Sequence, residues 1–257
     1  MMQDYMLERL LERLSCSQWR DMVIVKGGML ISSFIGVESR VTKDLDTTIR
    51  GFTLTHESAE RAFSEMCAID VDDDITFEYV RTEDIRDTDE YPGIRVFLKA
   101  NYAPMSVPLS VDVTTGDVIT PDAIAYEYPL SFDDYSIPLM AYPLPTCMAE
   151  KLETVISRVI LNTRPRDYYD IYMLYKMCGG ELDPATLSNA LQATAEKRGS
   201  SEGMRHFAEV MSAVAADEEM LTRWKGYGRE YSYVGDITLQ DACNAVVEIM
   251  NRLESVK

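Results

Sequence analysis

Histidine is almost missing from this chain. The two present, His56 and His206, are too few for a hydrolase site built on a histidine cluster. Basic residues are also scarce: 25 Lys and Arg stand against 43 Asp and Glu, a formal net charge of −18. Non-specific binding to DNA or RNA needs cations that replace condensed counter-ions, so this balance argues against it. Any nucleic-acid contact must come from a local basic patch. Much of the negative charge serves solubility; the functional readings are acidic clusters that bind metal, or a basic partner. No apolar run approaches the roughly 20 residues a membrane helix needs. The N-terminal apolar stretch is broken by Glu8, Arg9, Glu12 and Arg13, with no small-residue cleavage site behind it. That excludes a signal peptide and leads to the expectation of a cytoplasmic protein with no membrane partner. The five cysteines are odd in number, scattered and without CxxC spacing, which points to neither a disulfide framework nor a zinc site. Walker A, Rossmann and kinase signatures are missing too.

What remains is an ordinary soluble composition, 46% apolar and 26% charged over 257 residues, enough for one large domain or two modest ones. The texture changes near residue 143. Before it, short β-prone runs alternate with acidic or Pro/Gly turns. After it, helical periodicity dominates. The expected class is α+β: a mixed-sheet domain with flanking helices over 1–142, then a helical bundle over 143–257.

In the first half, Leu7, Leu10, Leu11 and Leu14 mark one face of a helix over about 4–14. Val23 to Val25 is a short strand ending in Lys26-Gly27-Gly28, with a small helix over 29–35. A strand over 45–49 and an amphipathic helix over 56–67 follow. Half-buried strands are expected at 75–80, 94–101 and 109–114, with edge β-structure near 126–130 and 137–142. Asp72-Asp73-Asp74 reads as a solvated turn. In the second half Thr146 is the expected N-cap of a helix over 149–160. Further helices are expected at 166–177, 184–197, 202–215, 217–225 and 238–254, with Asp183-Pro184 and Thr238 as starts. Tyr168, Tyr169, Tyr172 and Tyr175 fall at packing spacings.

Asp44-Leu45-Asp46 is the sharpest chemical feature. On a strand, alternate residues share a face, which puts both carboxylates on one side about 6–7 Å apart at Cα. Two such groups can hold hard divalent cations such as Mg²⁺. Taken alone, an acidic pair at a strand end is more often a solvated turn. Its surroundings change that. Upstream, Gly27-Gly28 permits close backbone approach to a phosphate, and the helix behind it offers unpaired N–H groups. Downstream, Asp112 sits between Val111 and Val113, so its face carries Ser110 and Thr114 instead. It is either an exposed strand residue or a third carboxylate beside Asp44 and Asp46. Three acids with a phosphate cradle suit phosphoryl or nucleotidyl transfer.

Lys26-Gly27-Gly28 followed by Arg40-Val41-Thr42-Lys43-Asp44-Leu45-Asp46 resembles the first motif of the AbiEii/AbiGii toxin family of nucleotidyltransferases. The resemblance continues at Val111-Asp112-Val113 and at Glu150-Lys151-Leu152. It continues again at Arg158, at Arg166-Asp167-Tyr168-Tyr169-Asp170-Ile171-Tyr172, and at Trp224 with Tyr227. It spans about residues 20–230 in order. It implies a polymerase-β-like fold and Mg²⁺ (or Mn²⁺) on Asp44 and Asp46, with Asp112 as third ligand or base. Lys26, Gly27 and Gly28 would line the phosphates of an NTP substrate. Lys151 would contact the triphosphate from the helical half, Arg158 would support phosphates or brace the acids, Asp167 would act in the DxxD motif, and Asp170 would be its structural partner. Read as plain helix residues, these charges would simply be solvated or ion-paired. The stretch 151–176 carries five basic residues against three acids, the best local patch in so acidic a chain. The resemblance also implies an RNA acceptor, such as a tRNA 3′ end, and a cognate antitoxin encoded beside the toxin. The charge of −18 keeps a small-molecule or protein acceptor open. The rivals are a nucleotide-binding regulator without turnover and a metal phosphohydrolase.

Overall fold

A computed structural model describes residues 2–36, 40, 42, 44–85 and 93–255. Val41 and Lys43 of the motif run lie outside the described residues. The chain forms two compact units. The first holds residues 1–33, 41–117 and 123–142; the second holds 34–40, 118–122 and 143–257.

In the first unit, seven strands form one mixed sheet. They are β1 (Val23–Lys26), β2 (Leu45–Ile49), β3 (Thr76–Ile85), β4 (Gly93–Tyr102), β5 (Met105–Thr115), β6 (Ile124–Pro129) and β7 (Ser136–Ala141). Their order is β3-β4-β5-β2-β1-β7-β6. The centre mixes directions: β1 runs antiparallel to β2 and parallel to β7, and β2 runs parallel to β5. Val23, Ile24 and Val25 are all buried, as a strand covered on both faces requires. Helix α1 (Met2–Cys16) packs on β5, β7 and α3 (His56–Cys67), and α3 packs on β3 and β4. Helix α2 (Gly27–Ile35) leaves β1 directly, two residues earlier than the sequence suggests.

The four leucines of α1 are buried, as their spacing requires, but so are Glu8, Arg9 and Arg13. Their charges are met across the fold: the Ser131 N–H donates to Glu8, and Arg9 pairs with Asp133. Arg13 donates to both carboxylate oxygens of Asp73 at 2.9 and 2.7 Å and to the Ile75 carbonyl. The acidic triplet is therefore not wholly a solvated turn. Asp72 and Asp74 take positive φ and are exposed, which swings Asp73 inward between them. Burial raises the Asp73 pKa, but the hydrogen bonds and charge of Arg13 outweigh it and hold it below its usual range. Asp73→Ala would leave Arg13 buried without its counter-ion, so a loss of about 3 kcal/mol from the first unit is expected. Urea unfolding followed through Trp19, buried in this unit, checks it; a loss under about 1 kcal/mol would contradict it.

The second unit is helical: α4 (Leu144–Ser157), α5 (Pro165–Cys178), α6 (Pro184–Lys197), α7 (Phe207–Ala216), α8 (Glu218–Glu230) and α9 (Leu239–Glu254). Asp183 and Thr238 cap α6 and α9 as expected, Thr238 in a reciprocal box with Asp241. Thr146 does not cap α4. The N-cap is Pro143, and Pro145 supplies a helical φ in the first turn, so the helix starts earlier. The Thr146 hydroxyl instead donates to the Thr120 carbonyl and accepts from its N–H. Nor does α4 reach residue 160: Val159 has φ +48, where a right-handed helix cannot continue, and a 3₁₀ turn covers Val159–Leu161. Tyr168 and Tyr169 are fully buried in packing roles. No helix among the described residues is long and apolar enough to cross a membrane.

Candidate active site

In the first unit, four charged residues lie along one row of the sheet. Arg95 on β4 pairs in register with Asp112 on β5, Asp112 with Asp46 on β2, and Asp46 with Lys26 on β1. Residues in register across strands share a face. The row thus reads positive, negative, negative, positive over four adjacent strands. Leu45, Val111 and Val113 point the other way and are buried. Asp44, one residue before β2, is exposed and accepts a hydrogen bond from Ser110 at 3.4 Å, so it joins the same face.

Asp112 stands beside Asp46 as its strand position suggests, but its carboxylate is taken. Arg95 clasps it with two parallel bonds, Nε to Oδ1 at 2.6 Å and Nη2 to Oδ2 at 2.7 Å. Those hydrogen bonds, with the further negative charge of Asp112, Asp44 and Asp46, push the Arg95 pKa up. Among the described residues, no group of three or more His, Cys, Asp or Glu is drawn together as an ion's ligand set. With Asp112 turned to Arg95, Asp44 and Asp46 are the other two acids on this face. The donor chemistry still fits Mg²⁺, which is commonly held by one or two carboxylates together with substrate phosphates.

Gly27 takes φ +67, and a β-carbon there would sit 2.1 Å from Oδ2 of Asp46. Its missing side chain is what allows the Asp46 carboxylate to lie over the start of α2. Lys26 donates to Asp117 at 2.5 Å, and Thr114 and Tyr142 donate to the same oxygen. Burial raises the Asp117 pKa; Lys26 and the three hydrogen bonds more than reverse this.

The second unit holds its own charged cluster. Lys151 on α4 pairs with Asp167 at 2.6 Å and with Asp170 at 3.0 Å, both on α5. The spacing of three places both acids on one helical face. Asp170, 0% exposed, also accepts from Arg40 through Nε at 2.7 Å and Nη2 at 3.3 Å. Asn162 donates to Asp167. Arg158 is exposed at the C-cap of α4.

Sequence reasoning missed Arg95, Asp117 and the role of Arg40. Arg95 carries a signal only through strand register, which needs the β4–β5 turn to be placed first. Arg40 lay within the motif run, but nothing in its spacing points to a partner 130 residues away.

A mixed sheet with acids gathered on one face, and a helical unit after it, is a nucleotidyltransferase-like architecture. The chain matches the family described as the nucleotidyl transferase AbiEii toxin of type IV toxin–antitoxin systems over residues 9–243, and it belongs to that family. No curated protein sequence matches it significantly. Its fold is similar to that of JHP933 from Helicobacter pylori, with a TM-score of 0.55 at 12% identity over 99% of this chain and 93% of that one. It is also similar to a Helicobacter pylori protein assigned as a nucleotidyltransferase, with a TM-score of 0.54 at 13% identity over 100% and 97%. At such identities the likeness is one of fold.

Proposed function

We propose that this chain is a metal-dependent nucleotidyltransferase that moves NMP from an NTP to an acceptor hydroxyl and acts as the toxin of a toxin–antitoxin pair. The observation that carries the proposal is the row Arg95, Asp112, Asp46 and Lys26, with Asp44 on the same face. Asp44 and Asp46 would hold Mg²⁺ or Mn²⁺, with Asp112 as third ligand or base. When bound, the cation supplies charge that offsets the negative charge developing on the phosphates.

The chain's own residues do the rest. Gly27 and Gly28 let the backbone approach the phosphates, with Lys26 on that side. In the role of base, Asp112 accepts the proton of the acceptor hydroxyl. The hydroxyl oxygen then bonds to the α-phosphorus, the bond from that phosphorus to the α–β bridging oxygen breaks, and pyrophosphate leaves. Lys151, held by Asp167 and Asp170, is the compact cation proposed for the triphosphate, and Arg40 holds Asp170. Arg158 adds positive charge for the phosphates. An RNA end, such as a tRNA 3′ end, is the proposed acceptor, and a cognate antitoxin the proposed partner.

The test is incubation of the purified chain with each α-labelled NTP, Mg²⁺ and total RNA. Label should reach RNA, or the protein itself, with release of pyrophosphate. The Asp44→Ala/Asp46→Ala double variant should lose at least about 10³-fold of that rate. No transfer with any NTP would sink the reading, and release of orthophosphate would mark a hydrolase. Growth inhibition that survives the double variant would mark a regulator without turnover.

A further inference from the structure

Arg95 is the one member of the charged row that the proposed chemistry does not use. Its position is specific. Through register it faces Asp112, and both of its bonds to that carboxylate are short and parallel. This is the bidentate geometry that makes Arg–carboxylate pairs strong. The clasp is also openable, because the Arg95 side chain is 44% exposed against 20% for Asp112. A guanidinium released from it meets water or another anion at little desolvation cost.

A divalent cation and Arg95 compete for the same carboxylate. Both neutralise the face made by Asp44, Asp46 and Asp112, and Asp112 cannot give both oxygens to Arg95 and also serve as ligand or base. The nucleotide alters that competition. Its phosphates offer a guanidinium the same bidentate partner that Asp112 does.

We propose that Arg95 is a resident counter-ion that holds Asp112 until nucleotide phosphate draws it away, so that nucleotide and divalent cation bind cooperatively. The inference rests on the reading of Asp44, Asp46 and Asp112 as the metal-binding face. Coupling of this kind is reciprocal: whatever factor the nucleotide adds to cation affinity, the cation adds to nucleotide affinity. It also keeps the apo protein from spending its carboxylates on a cation that arrives without substrate. Arg95 is thus a positioning residue, acting through Asp112.

The test measures Mn²⁺ binding to the full chain by electron paramagnetic resonance. It is done alone and with each of the four α,β-methylene NTPs, which cannot release pyrophosphate. The wild type should bind Mn²⁺ weakly alone and about tenfold or more tightly with the accepted analogue. Arg95→Gln should bind Mn²⁺ alone about tenfold more tightly than wild type, and the analogue should add less than about twofold. Arg95→Lys, which keeps the charge and loses the fork, should fall between them. Arg95→Gln binding Mn²⁺ no more tightly than wild type overturns the inference and leaves the metal site standing. Full coupling retained in Arg95→Gln overturns it too. Mn²⁺ binding by neither protein, with or without analogue, overturns both the inference and the metal reading beneath it. Thermal unfolding of each variant confirms that a folded protein was titrated.

Discussion

Asp170→Ala is expected to cost the helical unit about 3–5 kcal/mol, a large share of the stability of a domain this size. Asp170 is fully buried and touches both Arg40 and Lys151. Burial alone would raise its pKa, but the charges of Arg40 and Lys151 and their hydrogen bonds hold it below its ordinary value of 3.8. Burial would likewise lower the pKa of Lys151, but Asp167 and Asp170 raise it above its ordinary 10.5. The signs give a pH window. A carboxylate with a depressed folded pKa contributes stability above its unfolded value and loses it as pH falls through the folded one. A lysine with a raised folded pKa contributes below its unfolded value and loses it as pH rises through the folded one. The cluster's contribution should therefore be flat through neutral pH and fall away below 3.8 and above 10.5. Removing Asp170 takes away the carboxylate that Arg40 and Lys151 share. An Arg40→Met/Asp170→Leu pair, which removes the Arg40–Asp170 pair together, should cost less than Asp170→Ala. The chain has two tryptophans, Trp19 in the first unit and Trp224 in the second, both buried. Urea unfolding of the Trp19→Phe background reads the second unit alone. A loss under 1 kcal/mol there, or an acid limb unchanged by the substitution, would sink the argument.

How much of this was legible beforehand depends on whether burial imprints a pattern. The strand Leu45–Ile49 and the helix His56–Cys67 fall where alternation and helical periodicity place them. The arms of β3 and β5 run further than expected, to Ile85 and back to Met105. Their outer ends are largely exposed, so no apolar alternation marks them. The acids of the candidate site stood out because DxD and a lone Asp between valines break local pattern. Their counter-ions were not. Arg95 meets Asp112 only through sheet register, and Arg13 meets Asp73, and Arg40 meets Asp170, only through tertiary packing. Charge pairs far apart in sequence leave no periodic trace. A buried arginine looks like a surface one until the fold supplies its partner.

Gly27→Ala carries the second large expectation: a rate of nucleotidyl transfer lower by about 10²–10³-fold, larger than its cost to stability. Two effects of the added methyl separate cleanly. The first is backbone strain, since Gly27 sits at φ +67, where an L-residue costs about 1–2 kcal/mol. The second is collision, since the new carbon would lie 2.1 Å from Oδ2 and 2.7 Å from Cβ of Asp46. Cβ is fixed to the β2 backbone, so rotating the carboxylate cannot relieve both contacts. Either β2 shifts or α2 starts differently, and in both cases Asp46 leaves its place in the row. A misplacement of about 1 Å at a catalytic group is worth about 10²-fold in rate. Gly199 is the matched control, with φ +66 and nothing within 4 Å of its would-be β-carbon. Gly199→Ala should show the strain without the collision, and so lose stability but keep its transfer rate. If the two variants lose stability alike and both keep activity, the close packing of Gly27 on Asp46 is not what positions the carboxylate proposed to hold the cation. If only Gly27→Ala loses transfer while remaining folded, the room that glycine leaves for Asp46 is part of the catalytic design.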